Sequence, residues 1–73
     1  MDLRIKDLRE DADLSQREIA DMLKCDQSLY SKYERRERAV PTDVLIMLAD
    51  FYHTSIDYLV GRTDEKRPYP PKK

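Results

Sequence analysis

The chain has 73 residues, of which 40% are charged and 40% hydrophobic, with 14 Lys and Arg against 15 Asp and Glu and a formal net charge of −1. A chain of this size makes one small domain that buries only about 60% of the surface its unfolded form exposes, so marginal stability is expected. One cysteine and one histidine exclude an internal disulfide and leave no basis for a metal centre or cofactor, and no apolar run suits a signal peptide or membrane span, which places the protein in a reducing cytoplasm.

From Asp2 onward the N-terminal stretch is expected to be helical, with Ile5, Leu8 and Ala12 forming one apolar stripe and Arg4, Lys6, Asp7, Glu10 and Asp11 in solvent. Leu14 packs behind it. Ser15 and Glu18 have the spacing of a capping box, in which the serine oxygen accepts from the Glu18 amide and the carboxylate reaches back to the Ser15 amide. A second helix therefore starts at Gln16 and buries Ile19, Ala20 and Leu23. Asp26 is placed to accept from the next free amides and to open a third helix, leaving only Lys24 and Cys25 as the turn. So tight a joint, with the small Ala20 beside it, predicts a helix-turn-helix over residues 16–34. In the third helix Tyr30 and Tyr33 point inward, so that Gln27, Ser28, Leu29, Ser31 and Lys32 face out. An outward face carrying an amide, a hydroxyl and an ammonium suits base edges in a major groove.

Arg35-Arg36-Glu37-Arg38 forms a basic loop, which in the plainest reading is solvated surface. Pro41 fits the first turn of a fourth helix and Asp43 its positive end. That helix runs to about Tyr52, with Leu45, Leu48, Ala49 and Tyr52 as its core face and Ile46, Met47 and Phe51 as partly covered flanks. His53 is expected as a left-handed helix end rather than a chemical group. Ser55 caps a last short helix that returns Ile56 and Leu59 to the core and closes at Gly61. Residues 62–73 hold three prolines and five basic residues with little to bury, the composition of a flexible tail that either reaches along DNA or is inert. Cys25 reads either as a small hydrophobe or as a redox-sensing thiol.

The charge is unevenly spread. Residues 24–38 carry five positive and three negative charges, residues 39–61 none and three, and residues 1–23 four and seven. A polarised molecule of this kind can turn one basic face to phosphate despite its overall sign.

The Ser15-Gln16 start, the Ile19-Ala20 pair, Leu23 and above all Tyr30-Ser31-Lys32-Tyr33-Glu34-Arg35 resemble the phage-repressor and Cro-like helix-turn-helix domains, also called the XRE family. Ser-Ile-Asp-Tyr-Leu-Val-Gly at residues 55–61 resembles that family's fifth helix. The resemblance spans residues 3–61 and implies an all-α, compact five-helix, lambda-repressor-like DNA-binding domain over residues 1–61. It further implies an ion pair between Arg9 and Glu34, for which a solvated arginine is the alternative, and phosphate contacts from Arg35 and Arg38. Dimer contacts near a two-fold axis are implied for Tyr58 and Val60. Asp13, Lys24 and Arg36 stand where the family usually has glycine, so a left-handed backbone is implied at each.

The function expected on these grounds is sequence-specific DNA binding by a transcriptional regulator: a repressor that occupies a pseudo-palindromic operator as a homodimer. Gln27, Ser28 and Lys32 would reach base edges, while Ser15, Gln16, Arg35 and Arg38 would hold phosphates. The alternative is an antitoxin-like or adaptor module that keeps the fold and uses its acidic helices to hold another protein. An enzyme is not expected, because one histidine and one cysteine provide no nucleophile-base or metal constellation.

Overall fold

The capping box at residues 15 and 18 forms in full: the Ser15 oxygen accepts from the Glu18 amide at 3.0 Å and a Glu18 carboxylate oxygen accepts from the Ser15 amide at 2.9 Å. It opens the second of five helices in a computed structural model that describes residues 3–68: α1 (Ile5–Asp11), α2 (Gln16–Leu23), α3 (Gln27–Glu34), α4 (Thr42–Tyr52) and α5 (Ile56–Leu59). Among the described residues there is no strand, so the fold is all-α as expected. No helix there is long and apolar enough to cross a membrane.

Every helix contributes to one core, made of Ile5, Leu8, Ile19, Ala20, Tyr30, Tyr33, Leu48, Ala49 and Leu59. Tyr30 is wholly buried and meets Tyr33 edge to face with 6.4 Å between ring centroids. Helices this short are marginal alone, so burial of these side chains is what holds each of them. Leu14, Leu23, Cys25, Leu45, Tyr52 and Ile56 pack around the core, partly covered. Burial first, then the neighbouring Asp26 charge, raises the Cys25 thiol above its ordinary pKa, which keeps thiolate scarce and suits a small hydrophobe.

All five helices end in the same way. The residue after the last turn takes positive φ, and the amide beyond it donates back to a carbonyl five residues upstream: Leu14 to Arg9, Cys25 to Ala20, Glu37 to Lys32, Thr54 to Ala49 and Arg62 to Asp57, at 2.8–3.1 Å. These are Schellman endings, which satisfy carbonyls that would otherwise be orphaned. Only Gly61 adopts the left-handed backbone without a Cβ. Asp13, Lys24, Arg36 and His53 do so at φ 59–63°, as the sequence implies.

Several local expectations are corrected. Asp2, the expected start of α1, lies outside the described residues; α1 begins only at Ile5, with Arg4 as its N-cap, and the Arg4 amide, which has no acceptor within the helix, donates to the Leu59 carbonyl at 2.8 Å. Ala12 is exposed, since the chain leaves the helix at that point toward the turn at Asp13. Asp26 occupies the N-cap position of α3 with extended backbone, but its side chain stays in solvent and accepts no cap hydrogen bond. Pro41 is the N-cap of α4 rather than its first helical residue, because its carbonyl already accepts the first intrahelical bond, from Leu45 at 3.0 Å. Leu29, expected to face out, is half-covered and packs on the core.

Residues 62–68 lie back along the domain. Arg4 spans this return, its guanidinium 4.2 Å from the Tyr58 ring centroid, 2.9 Å from the Thr63 carbonyl and 2.8 Å from the Asp64 carboxylate, while the Thr54 hydroxyl donates to the Lys66 carbonyl.

A left-handed non-glycine residue costs about 1 kcal/mol relative to glycine. Lys24→Gly and Arg36→Gly are each expected to stabilise the domain by about that amount and to raise Tm by roughly 4–8 °C in calorimetry. An unchanged or lower Tm in both would show that these helix ends hold no strain.

Candidate nucleic-acid interface

Gln27, Ser28 and Lys32 fall on one side of α3 by their helical spacing, and all three are exposed. With Gln16, Ser31 and Arg35 they line an open concavity of about 370 Å³. Its lining is two carboxamides, two hydroxyls, an ammonium and a guanidinium, with no carboxylate among them. Such a surface can donate to and accept from base edges and can meet phosphate oxygens. Ser31, an outward residue of α3 that is not among the expected base contacts, joins them here; its position four residues after Gln27, on the same helical face, is the signal that identifies it.

The four residues expected at phosphates do not fall together. Gln16 and Arg35 border the concavity, whereas Arg38 lies on a different feature, an apolar groove of about 420 Å³ with Leu3, Arg36, Ala39, Val40, Leu45 and Val60. Ser15 has its oxygen occupied by the Glu18 amide, which leaves its O–H free to donate. Arg35 is paired with Glu37 at 2.9 Å, but both side chains are more than half exposed. An ion pair so open to water holds its arginine weakly, so Arg35 can exchange that carboxylate for another anion.

Beneath the concavity lies a polar node that joins three helices. Arg9 Nε donates to Glu34 Oε2 at 2.7 Å and Nη2 to Oε1 at 3.1 Å, while Nη1 donates to the Leu14 carbonyl at 2.8 Å. Gln16 Nε2 donates to Glu34 Oε1 at 3.0 Å. The Glu34 side chain is 2% exposed and that of Arg9 12%. Burial pushes the Glu34 carboxyl upward, but the hydrogen bonds led by Arg9, with the nearby Tyr30 phenol and Gln16, outweigh it and hold the group below the ordinary carboxyl value. Burial, and then the Glu34 charge, hold the Tyr30 phenol far above its ordinary value and push Tyr52 up to about 12, so both stay protonated. Their hydroxyls are buried without a hydrogen bond of good geometry.

Tyr58 and Val60, the residues expected at a dimer contact, lie in different settings. The Tyr58 ring is half-buried under Arg4, and Val60 forms part of the wall of the apolar groove. On α4, Ile46, Met47 and Phe51 are 40–48% exposed, the partly covered flanks expected of them. Among the described residues, no group of His, Cys, Asp and Glu could hold a metal ion.

The helix-turn-helix family model matches residues 5–59. The chain is 38% identical over 61 residues to the HTH-type transcriptional regulator ImmR of Bacillus subtilis (strain 168), which covers 84% of this chain and 48% of that protein. It is 36% identical over 67 residues to the HTH-type transcriptional regulator AnsR of the same organism, covering 92% and 58%, and 34% identical over 65 residues to its HTH-type regulator YobD, covering 89% and 58%. The chain thus spans about half the length of the curated relatives it matches. No solved structure matches it.

The depressed Glu34 carboxyl links folding to acid. Its contribution is fully present above the ordinary carboxyl pKa of about 4.3 and is lost as pH falls through the lower folded-state value, because the unfolded chain binds the proton first. Thermal melts from neutral pH downward should show Tm falling more steeply in wild type than in Arg9→Met/Glu34→Leu, which lacks the pair. Arg9→Met alone should lose about 3–5 kcal/mol, because it strands a buried carboxylate. Parallel acid profiles for wild type and the double variant would sink this assignment.

Proposed function

The chain belongs to the helix-turn-helix family in its XRE branch, and from that membership we propose that it is a sequence-specific, non-catalytic DNA-binding transcriptional regulator, a repressor acting in the cytoplasm as a homodimer. The observation that carries this reading is the concavity on the outer side of α3, lined by hydrogen-bonding and cationic groups and free of carboxylates. Gln27 offers an amide for adenine, Lys32 an ammonium for guanine, and Ser28 a hydroxyl for either. Ser15 and Gln16 at the start of α2, with Arg35 and Arg38 after α3, hold the sugar-phosphate backbone and set the register. Two copies related by a two-fold axis read half-sites about one helical turn apart, and occupancy of the promoter represses it. The apolar groove that contains Val60 supports pairing of two copies, since a chain this small gains stability from burying further apolar surface.

A second reading, an adaptor that binds another protein, is supported by exposed Ile46, Met47 and Phe51 on α4, a segment whose charges are all acidic. Binding to random duplex DNA separates the two. If Arg35 and Arg38 of two copies neutralise phosphates, log K should fall with log salt at a slope of about −3 to −4, whereas the adaptor gives almost no slope.

Selection of bound duplexes from a random pool at physiological salt is expected to enrich a dyad. On the selected site, Gln27→Ala should cost about 1–3 kcal/mol and relax preference at one base position in each half-site. Uniform weakening on every sequence would remove Gln27 from base readout, and failure to enrich any sequence would overturn the regulator reading.

A further inference from the structure

Gln16 belongs to both the outer concavity and the buried node, and that double membership gives Glu34 a role beyond stability. We propose that Glu34 is a positioning residue for DNA binding, which fixes the Gln16 carboxamide at the lip of the α3 concavity so that its second N–H is presented to phosphate. This rests on the DNA-binding reading above.

A glutamine side chain has three rotatable bonds and two chemically opposite ends, so a free one loses rotamer entropy on each contact and can present either end. Here both freedoms are removed. The Glu34 carboxylate only accepts hydrogen bonds, so the amide NH2, not the carbonyl, must turn toward it, and the bond is observed from Nε2 to Oε1 at 3.0 Å. A bond to an ionised acceptor is stronger than one between neutral groups. The acceptor is itself immobile, because Arg9 engages both of its oxygens and the side chain is 2% exposed. One amide hydrogen is thereby spent inward and the other remains for the concavity that Gln16 lines with Gln27, Ser28, Ser31, Lys32 and Arg35. A donor held in its bound orientation before the encounter lowers the cost of association. The chain of contacts runs from α1 through α3 to the first residue of α2, so the helix that never meets DNA sets a contact of one that does.

A double-mutant cycle on affinity for a random-sequence duplex at low salt tests this, because a phosphate contact is independent of sequence. Gln16→Ala should weaken wild-type binding about thirty-fold, the worth of one hydrogen bond, about five-fold, in each of two copies. In the Arg9→Met/Glu34→Leu background, where no buried charge is stranded, Gln16→Ala should cost nothing further. An equal loss in both backgrounds overturns the positioning role and leaves the regulator reading standing, whereas a wild-type chain that binds no duplex overturns both. If the double variant does not fold, the side-chain amide signals of wild type decide: those of Gln16, assigned by their loss in Gln16→Ala, should exchange with solvent more slowly than those of exposed Gln27. Equal exchange for the two overturns the proposal.

Discussion

A carboxylate that water cannot reach must be met by a cation and by hydrogen-bond donors, and in this protein that requirement organises the assembly of three helices. Glu34 ends α3, Arg9 comes from α1 and Gln16 opens α2; Arg9 donates to both Glu34 oxygens and Gln16 to one of them. Replacement of such a pair by well-packed apolar groups is often neutral for stability, so its value here is geometric. A hydrophobic contact in place of the pair would let α3 slide or rotate within a range of similar energies. The bidentate guanidinium-carboxylate geometry admits one arrangement. The outer side of α3 is consequently aimed by a contact on its inner side.

The remainder of the domain is built from short helices that cannot persist singly. Each ends in a left-handed residue with a backward hydrogen bond, although only one of the five such residues is glycine. Backbone strain is thus distributed over Asp13, Lys24, Arg36 and His53 and offset by the satisfied carbonyls and by burial of the common core. The Lys24 ending matters most for function because it sets the direction in which the chain enters α3. Arg4 adds a different kind of closure, since it joins the start of the chain to Tyr58, Thr63 and Asp64 through one guanidinium. A planar guanidinium meets the ring and two oxygens through separate nitrogens, a geometry that the single nitrogen of a lysine does not offer.

Net charge says little about such a molecule. Acidic side chains dominate residues 1–23 and 39–61, while the concavity of α3 contains none. The loop after α3 divides its arginines between two surfaces: Arg35 borders the concavity and Arg38 the apolar groove that includes Val60. Through that division the loop touches both the surface assigned to DNA and the surface assigned to a second copy. The family match covers residues 5–59, which takes in the whole concavity and all of the groove but Leu3 and Val60, and the relatives extend to more than one and a half times the length of this chain.

Much of this was legible in residue order, and what was legible was local. The capping box at Ser15 and Glu18, the inward tyrosines at i and i+3, the left-handed end at His53 and the Ser55 cap all depend on neighbours within four residues, whose chemistry and spacing are written along the chain, whereas the left-handed ends at Asp13, Lys24 and Arg36 came from the resemblance. The Arg9 and Glu34 pairing came from resemblance rather than from spacing, because nothing local requires two residues 25 apart to meet. What no local pattern contained was decided by packing. The Leu59 carbonyl takes the free Arg4 amide at the start of α1, Arg38 parts from Arg35, Leu29 turns partly inward, and Gln16 reaches from the outer surface to a buried carboxylate. Sequence by itself determined which segments are helical, where they stop and which faces are apolar, since those follow from dihedral preference and period. Only the tertiary structure decided which polar groups share a buried partner, because that depends on desolvation, and desolvation exists only once distant segments have closed over the same few atoms.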